Sequence, residues 1–253
     1  MVSDIKILVI LKQIPDSCEK VFYQDTGCLN DSDINVITEA LDLRDSLGGT
    51  VTAMAIGPAE SQSILKEAYT YGIDDGILLD DDSWHDTDIR GAGRVAAAAA
   101  VYTGPYDLIM FGRQAIDGDS IHMAAMTAGY LDMPLLPYSN GLSVMNHQIQ
   151  AECIGDDQNE QISANLPAVV LSVRKRNGRY PSVQDILKTY NGTFKVRVID
   201  GCELVLANQK KMVYRHRTYI PDISTHHKQI IFKEQDETVL SGYLETVLCQ
   251  LGY

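Results

Sequence analysis

Short unbroken apolar runs alternate along this chain with longer stretches of helical periodicity. Residues 5–11, 51–56, 77–79, 108–111 and 168–173 are rich in Val, Ile and Leu without polar alternation. That is the pattern of strands buried on both faces of a parallel sheet. Between them Ile37, Ala40, Leu41 and Leu47 recur at helical spacing before Gly48-Gly49, and Ile64, Leu65, Ala68 and Tyr71 do so before Gly72; each glycine can end its helix. An Ala-rich stretch over 95–102 predicts a third helix, and 120–131, closed by Met133-Pro134, a fourth. Residues 142–145 and 149–153, separated by Asn146-His147-Gln148, predict a hairpin at a sheet edge. Repeated strand-helix units imply right-handed crossovers and a doubly wound, mostly parallel α/β sheet.

Composition adds a boundary to this pattern. The 253 residues hold 45% hydrophobic and 22% charged side chains, ordinary globular values with enough chain for a sizeable core. Against 34 acidic residues stand 21 Lys and Arg, a net charge of −13, which argues against nucleic acid or an anionic membrane surface as partner. The charge is unevenly spread: residues 1–173 carry 8 basic and 26 acidic side chains, residues 174–217 carry 11 and 3, and residues 218–253 carry 2 and 5. An acidic body over 1–173 followed by a partner-binding C-terminal arm over 174–253 is therefore expected, with the division near Arg174. No apolar run reaches the length of a transmembrane helix, and Lys6 interrupts the apolar start, unlike a signal peptide. Five scattered cysteines without a C-x-x-C pair suggest neither zinc nor a disulfide framework. A cytoplasmic location is expected.

Ligands of doubly wound sheets bind beyond the carboxyl ends of the strands. Three such ends are distinctive: Ile10-Leu11-Lys12-Gln13-Ile14-Pro15-Asp16, Ile56-Gly57-Pro58, and Gly112-Arg113-Gln114-Ala115-Ile116-Asp117-Gly118-Asp119-Ser120. The third runs from a buried strand through two glycines to an N-cap residue and a helix, so free backbone N–H groups and Arg113 would face a crevice. It reads either as an anion cradle or as a structural glycine turn. Asp117 and Asp119 are a weak metal pair, since acids commonly open helices and no further ligand lies near. Gly91-x-Gly93 does not follow a buried strand and is rejected as a dinucleotide fingerprint, and no P-loop occurs. Of six histidines only His122 adjoins the loop, and no catalytic triad is suggested. A nucleotide crevice without proton-transfer machinery favours a binding or redox-cofactor protein over a hydrolase.

The three strand ends, with Asn177-Gly178-Arg179-Tyr180-Pro181-Ser182, resemble the β subunit of electron transfer flavoproteins, the family that includes FixA. The resemblance implies an adenine-nucleotide α-hydrolase-like body and a heterodimer. An α subunit would carry the electron-transferring FAD, and this chain would bind AMP or a second FAD. Carried over by position, the cofactor contacts would be Ile10, Asn30, Asp31, Ser32, Asp33, Ile56, Gly112 to Ser120, Ile121, His122 and Met123. A docking loop for acyl-CoA dehydrogenases would include Arg179, Tyr180 and Val183. The Gly-Arg-Gln-Ala-Ile-Asp-Gly-Asp form is similar to that of flavin-bifurcating members that meet NADH, which favours FAD over AMP. His122 and Ala124 stand where the family usually has Gln and Gly, and the Asn177–Tyr180 stretch is one residue shorter. A non-redox AMP-binding subunit and a free-standing adenine-nucleotide sensor or hydrolase are the competing readings.

Overall fold

The computed structural model describes residues 4–15, 27–80, 89–113, 121–155, 157–173, 179–192, 194–201 and 204. The strands are β1 (Ile5–Leu11), β2 (Gln13–Pro15), β3 (Gly27–Leu29), β4 (Gly49–Gly57), β5 (Asp75–Asp80), β6 (Leu108–Gly112), β7 (Leu135–Met145), β8 (Gln148–Ile154), β9 (Asn159–Asn165), β10 (Ala168–Ser172) and β11 (Val196–Asp200). The α-helices are α1 (Asp31–Leu47), α2 (Gln62–Thr70), α3 (Ile89–Thr103), α4 (Ile121–Leu131) and α5 (Val183–Tyr190). Nine strands form one sheet in the order β11-β5-β4-β1-β6-β10-β7-β8-β9, and β2 pairs with β3. From β11 to β7 all neighbours are parallel, and β8 and β9 extend the edge as an antiparallel meander. The fold is the doubly wound, mostly parallel α/β sheet expected from the pattern.

The unbroken apolar runs have a direct cause. Along β1, Ile5, Ile7, Val9 and Leu11 enter the core beneath α1 and α2, while Leu8 and Ile10 enter a second core beneath α3 and α4. Alternate side chains point to opposite faces, so a strand covered on both faces has no position to give to water. At the far edge β8 alternates exposed and buried residues and β9 is mostly exposed, so β9 (Asn-Glu-Gln-Ile-Ser-Ala-Asn) lacks an apolar run and escapes the pattern. The expected hairpin is β7–β8. Its first strand begins earlier than expected, with Val169 and Val170 of β10 paired in parallel to Leu135 and Leu136.

Gly48 and Gly49 end α1 as expected, and for a steric reason. Gly48 lies at φ 79° and donates its N–H to the Arg44 carbonyl at 2.8 Å; Gly49 lies at φ 120° with its missing Cβ position against the Ile5 backbone. A side chain at Gly49 would collide with β1 in a conformation L-residues rarely adopt.

Residues 179–204, assigned to the arm by charge, contribute α5 and β11, and β11 pairs with β5 in the main sheet. The chain groups into compact units of Met1–Tyr214 and Arg215–Tyr253, the second lying outside the described residues. Arg179 bonds Asp42 at 3.2 Å and Asp45 at 2.8 Å on α1, and Arg44 bonds Asp45 and Asp74 at 2.8 and 3.0 Å. Partial burial works against ionising Asp45, but the hydrogen bonds from Arg44 and Arg179 prevail and hold its carboxyl below the usual range. Arg179, a basic residue near the start of the arm in sequence, thus anchors that segment to the acidic α1.

Candidate functional site

The sheet order contains one topological switch. β1 connects through α1 towards β4, β5 and β11, whereas β6 connects through α4 towards β10 and β7. The carboxyl ends of β1 and β6 therefore flank a crevice, the place where this class of sheet takes its ligands.

Three elements shape the crevice. β1 ends at Leu11-Lys12, β6 at Gly112-Arg113, and the N-terminus of α1 closes the space between them. Asn30 caps α1 with an extended backbone, and its carbonyl accepts the N–H groups of Asp33 and Ile34 at 2.9 and 3.0 Å. The Asp33 carboxylate accepts the Lys12 N–H at 2.8 Å and so ties the start of α1 to the end of β1. Its other oxygen lies against Gly112, where a Cβ would also press on Ser32. Gly112 is required because α1 rests on β6 with no room for a side chain.

Asp33 is the unusual group here. It is buried, and desolvation pushes its carboxyl from the usual 3.8 to about 7, against the lowering effect of the Lys12 N–H, the Asn30 side chain and the Lys12 charge. Buried carboxyls titrating near neutrality concentrate at functional sites. Arg113 is exposed, with its guanidinium carbon 5.7 Å from the centre of the Tyr138 ring. Tyr138, at φ 47°, holds the left-handed conformation that non-glycine residues seldom adopt. Neither Tyr138 nor this contact was visible in the sequence, because Arg113 follows β6 and Tyr138 lies in β7, and only the sheet order brings them together. Deeper in the sheet, Ser172, paired with Gly112, donates to the Glu39 carboxylate at 2.5 Å.

The expected cofactor residues divide by depth. Asn30 and Asp33 are buried beneath the crevice, Ser32 is half-buried and Asp31 exposed. Ile10 is buried between Met54 and Phe111 at the end of β1, and Ile56 lies half-buried at the end of β4. On the first turn of α4, His122 is exposed and Met123 packs against the core. Gln114, Ala115, Ile116, Asp117, Gly118, Asp119 and Ser120 lie outside the described residues, as does the side chain of Ile121. Of the expected docking residues, Arg179 is engaged with Asp42 and Asp45, whereas Tyr180 and Val183 are 71% and 72% exposed. Val183 opens α5, a capped helix in which Ser182 Oγ accepts the Asp185 N–H at 3.0 Å. The same surface carries exposed Leu187 and Tyr190, the latter beneath the Lys66 ammonium at 4.3 Å.

Among the described residues no helix is long and apolar enough to cross a membrane, and no three His, Cys, Asp or Glu side chains gather as a metal site.

Residues 21–192 match the electron transfer flavoprotein domain. The chain belongs to the electron transfer flavoprotein family. It is 31% identical over 195 residues to the electron transfer flavoprotein subunit beta of Thermoanaerobacterium thermosaccharolyticum, covering 73% of this chain and 75% of that one. Similarity to the caffeyl-CoA reductase-Etf complex subunit CarD of Acetobacterium woodii is 31% over 196 residues, covering 73% and 75%. Protein FixA of Azotobacter vinelandii is 28% identical over 216 residues, 78% of this chain and 77% of that one. Within the electron transfer flavoprotein family the resemblance is thus to the β subunit and FixA, as the strand ends had indicated.

Proposed function

We propose that this chain is the β subunit of a cytoplasmic, heterodimeric electron transfer flavoprotein, and that its β1–β6 crevice holds the adenosine-diphosphate portion of an FAD. The observation that carries this reading is the flush seating of α1 on Gly112 at the topological switch, which leaves Arg113 at the mouth and the first turn of α1 at the wall. The residues present fit such a group. Arg113, with the segment 114–120 that follows it, suits phosphoryl oxygens, because a guanidinium fork pairs with them bidentately. The carboxyl-rich first turn of α1 disfavours phosphate but suits ribose hydroxyls, for which Asp31 is an exposed acceptor. Buried Asp33 shapes this wall through Lys12. When bound, FAD supplies one- and two-electron chemistry; the chain itself binds, orients and shields the group.

In the same reading α5 is where a partner flavoenzyme such as an acyl-CoA dehydrogenase docks, with Val183, Leu187 and Tyr190 as apolar anchors. An α subunit provides the second flavin, and the Gly112 to Asp119 sequence, which resembles that of flavin-bifurcating members that meet NADH, favours such a member over a simple carrier. The test is the cofactor content of the heterodimer. Two FAD per complex supports the reading, one FAD with one AMP replaces FAD by a non-redox nucleotide in this crevice, and one FAD alone rejects it.

A further inference from the structure

At the opposite end of the sheet, the amino-terminal end, α3 stops at Thr103 and leaves part of its sheet face uncovered. The result is a cavity of about 530 Å3, within the range of small-molecule sites. Its floor comes from four adjacent strands. Leu8, Met54, Ile77 and Ile199 point into the α3/α4 core, so Lys6, Thr52, Asp75 and Arg197, each two residues earlier, share that face. Thr50 and Lys195 extend the same rows, and Tyr106 lines the wall beside the end of α3.

Three cations line this cavity in a chain whose net charge is −13. Among the described residues, none of the side chains of Lys6, Lys195 and Arg197 forms an ion pair or a hydrogen bond. The Arg197 guanidinium lies 5.9 Å from the Tyr102 ring centre, a contact that pre-orders its planar fork. Thr52 is buried, and its hydroxyl has no hydrogen-bond partner among the described residues. Two features oppose an anion, the Asp75 carboxylate and the negative end of α3. The lining still holds two positive charges in excess, and Asp75 with the threonine hydroxyls offers acceptors that a bare inorganic anion would not use.

We propose that this cavity is a second ligand site, separate from the switch-point crevice, for a small organic anion with at least two negative charges and one or more hydroxyl groups. A hydroxy-polycarboxylate and a sugar phosphate share this chemistry. The cations engage the charged groups, and Thr52 with Asp75 engages the hydroxyls.

The test is calorimetric titration of the full chain at low ionic strength with citrate and, separately, fructose 1,6-bisphosphate. Lys6→Gln and Arg197→Gln should each weaken binding by about tenfold, the loss of one charge-assisted contact. Arg197→Lys should recover part of that loss, and Asp75→Asn, which removes a like charge, should tighten binding. Arg113→Ala should leave it unchanged, and the amide resonances of Thr52 and Gly76 should shift on titration. Binding of only one probe assigns the site to carboxylates or to phosphoryl groups. No binding of either probe by the parent overturns the proposal, as does binding that responds to Arg113→Ala but not to Lys6→Gln and Arg197→Gln.

Discussion

Replacing Asp33 by Asn should change how stability depends on pH. In the folded chain the Asp33 carboxyl titrates at about 7, against an ordinary 3.8, so between these values the native state keeps a proton that the unfolded state has released. Stability rises with pH where the unfolded state binds more protons; here it binds fewer, so this group makes stability fall as pH rises from about 4 to about 7. At about 1.4 kcal/mol per pH unit the full interval is worth about 4 kcal/mol. The positive end of α1 favours the carboxylate by about 0.3–1 kcal/mol and trims that figure. Asn keeps an oxygen for the Lys12 N–H but does not titrate. Urea unfolding of the full chain and of Asp33→Asn across pH 5 to 8 measures the effect, because all other groups cancel in the difference. The advantage of Asp33→Asn should grow by about 2–3 kcal/mol over that range. Parallel pH profiles for the two proteins would instead show Asp33 to be ionised throughout that range, its carboxyl not raised by burial.

Three further outcomes are expected. Gly112→Ala should drive its Cβ into Asp33 and Ser32, lowering stability by about 1–3 kcal/mol in thermal or urea unfolding. Arg113→Ala should weaken adenine-nucleotide affinity by on the order of tenfold to a hundredfold in calorimetry, the loss of a charge-assisted contact of about 1.5–3 kcal/mol. Val183→Asp combined with Leu187→Asp, both at exposed positions of α5, should slow electron delivery between the heterodimer and its partner flavoenzyme by at least about tenfold. Cofactor content, read from the absorbance spectrum, should not change with it.

What the sequence made legible follows from burial. β1, β4, β5, β6 and β10 are covered on both faces, so each announces itself as an apolar run, and the glycines that end α1 mark its limit. β11 reads differently because Arg197 and Val198 are exposed on an edge strand; its place beside β5 comes from the register Val196 with Gly76 through Asp200 with Asp80. The basic charge of 174–217 concealed α5 and β11, since a count of charge does not register that Arg179 pairs with Asp42 and Asp45. In the crevice, Gly112 and Arg113 were legible as strand-end chemistry, whereas Asn30 to Asp33 at the start of α1 came only through the family resemblance. The perturbation of Asp33 and the placing of Tyr138 were not, because both arise from neighbours distant in the chain.

An FAD in the β1–β6 crevice of this chain is tested directly by the FAD and AMP released per heterodimer from the parent and from Arg113→Ala. The parent should release two FAD and the variant should show a clear loss of one, the α-subunit flavin remaining. One FAD from the parent, with or without AMP, or two FAD retained equally by both proteins under dilution, would rule it out.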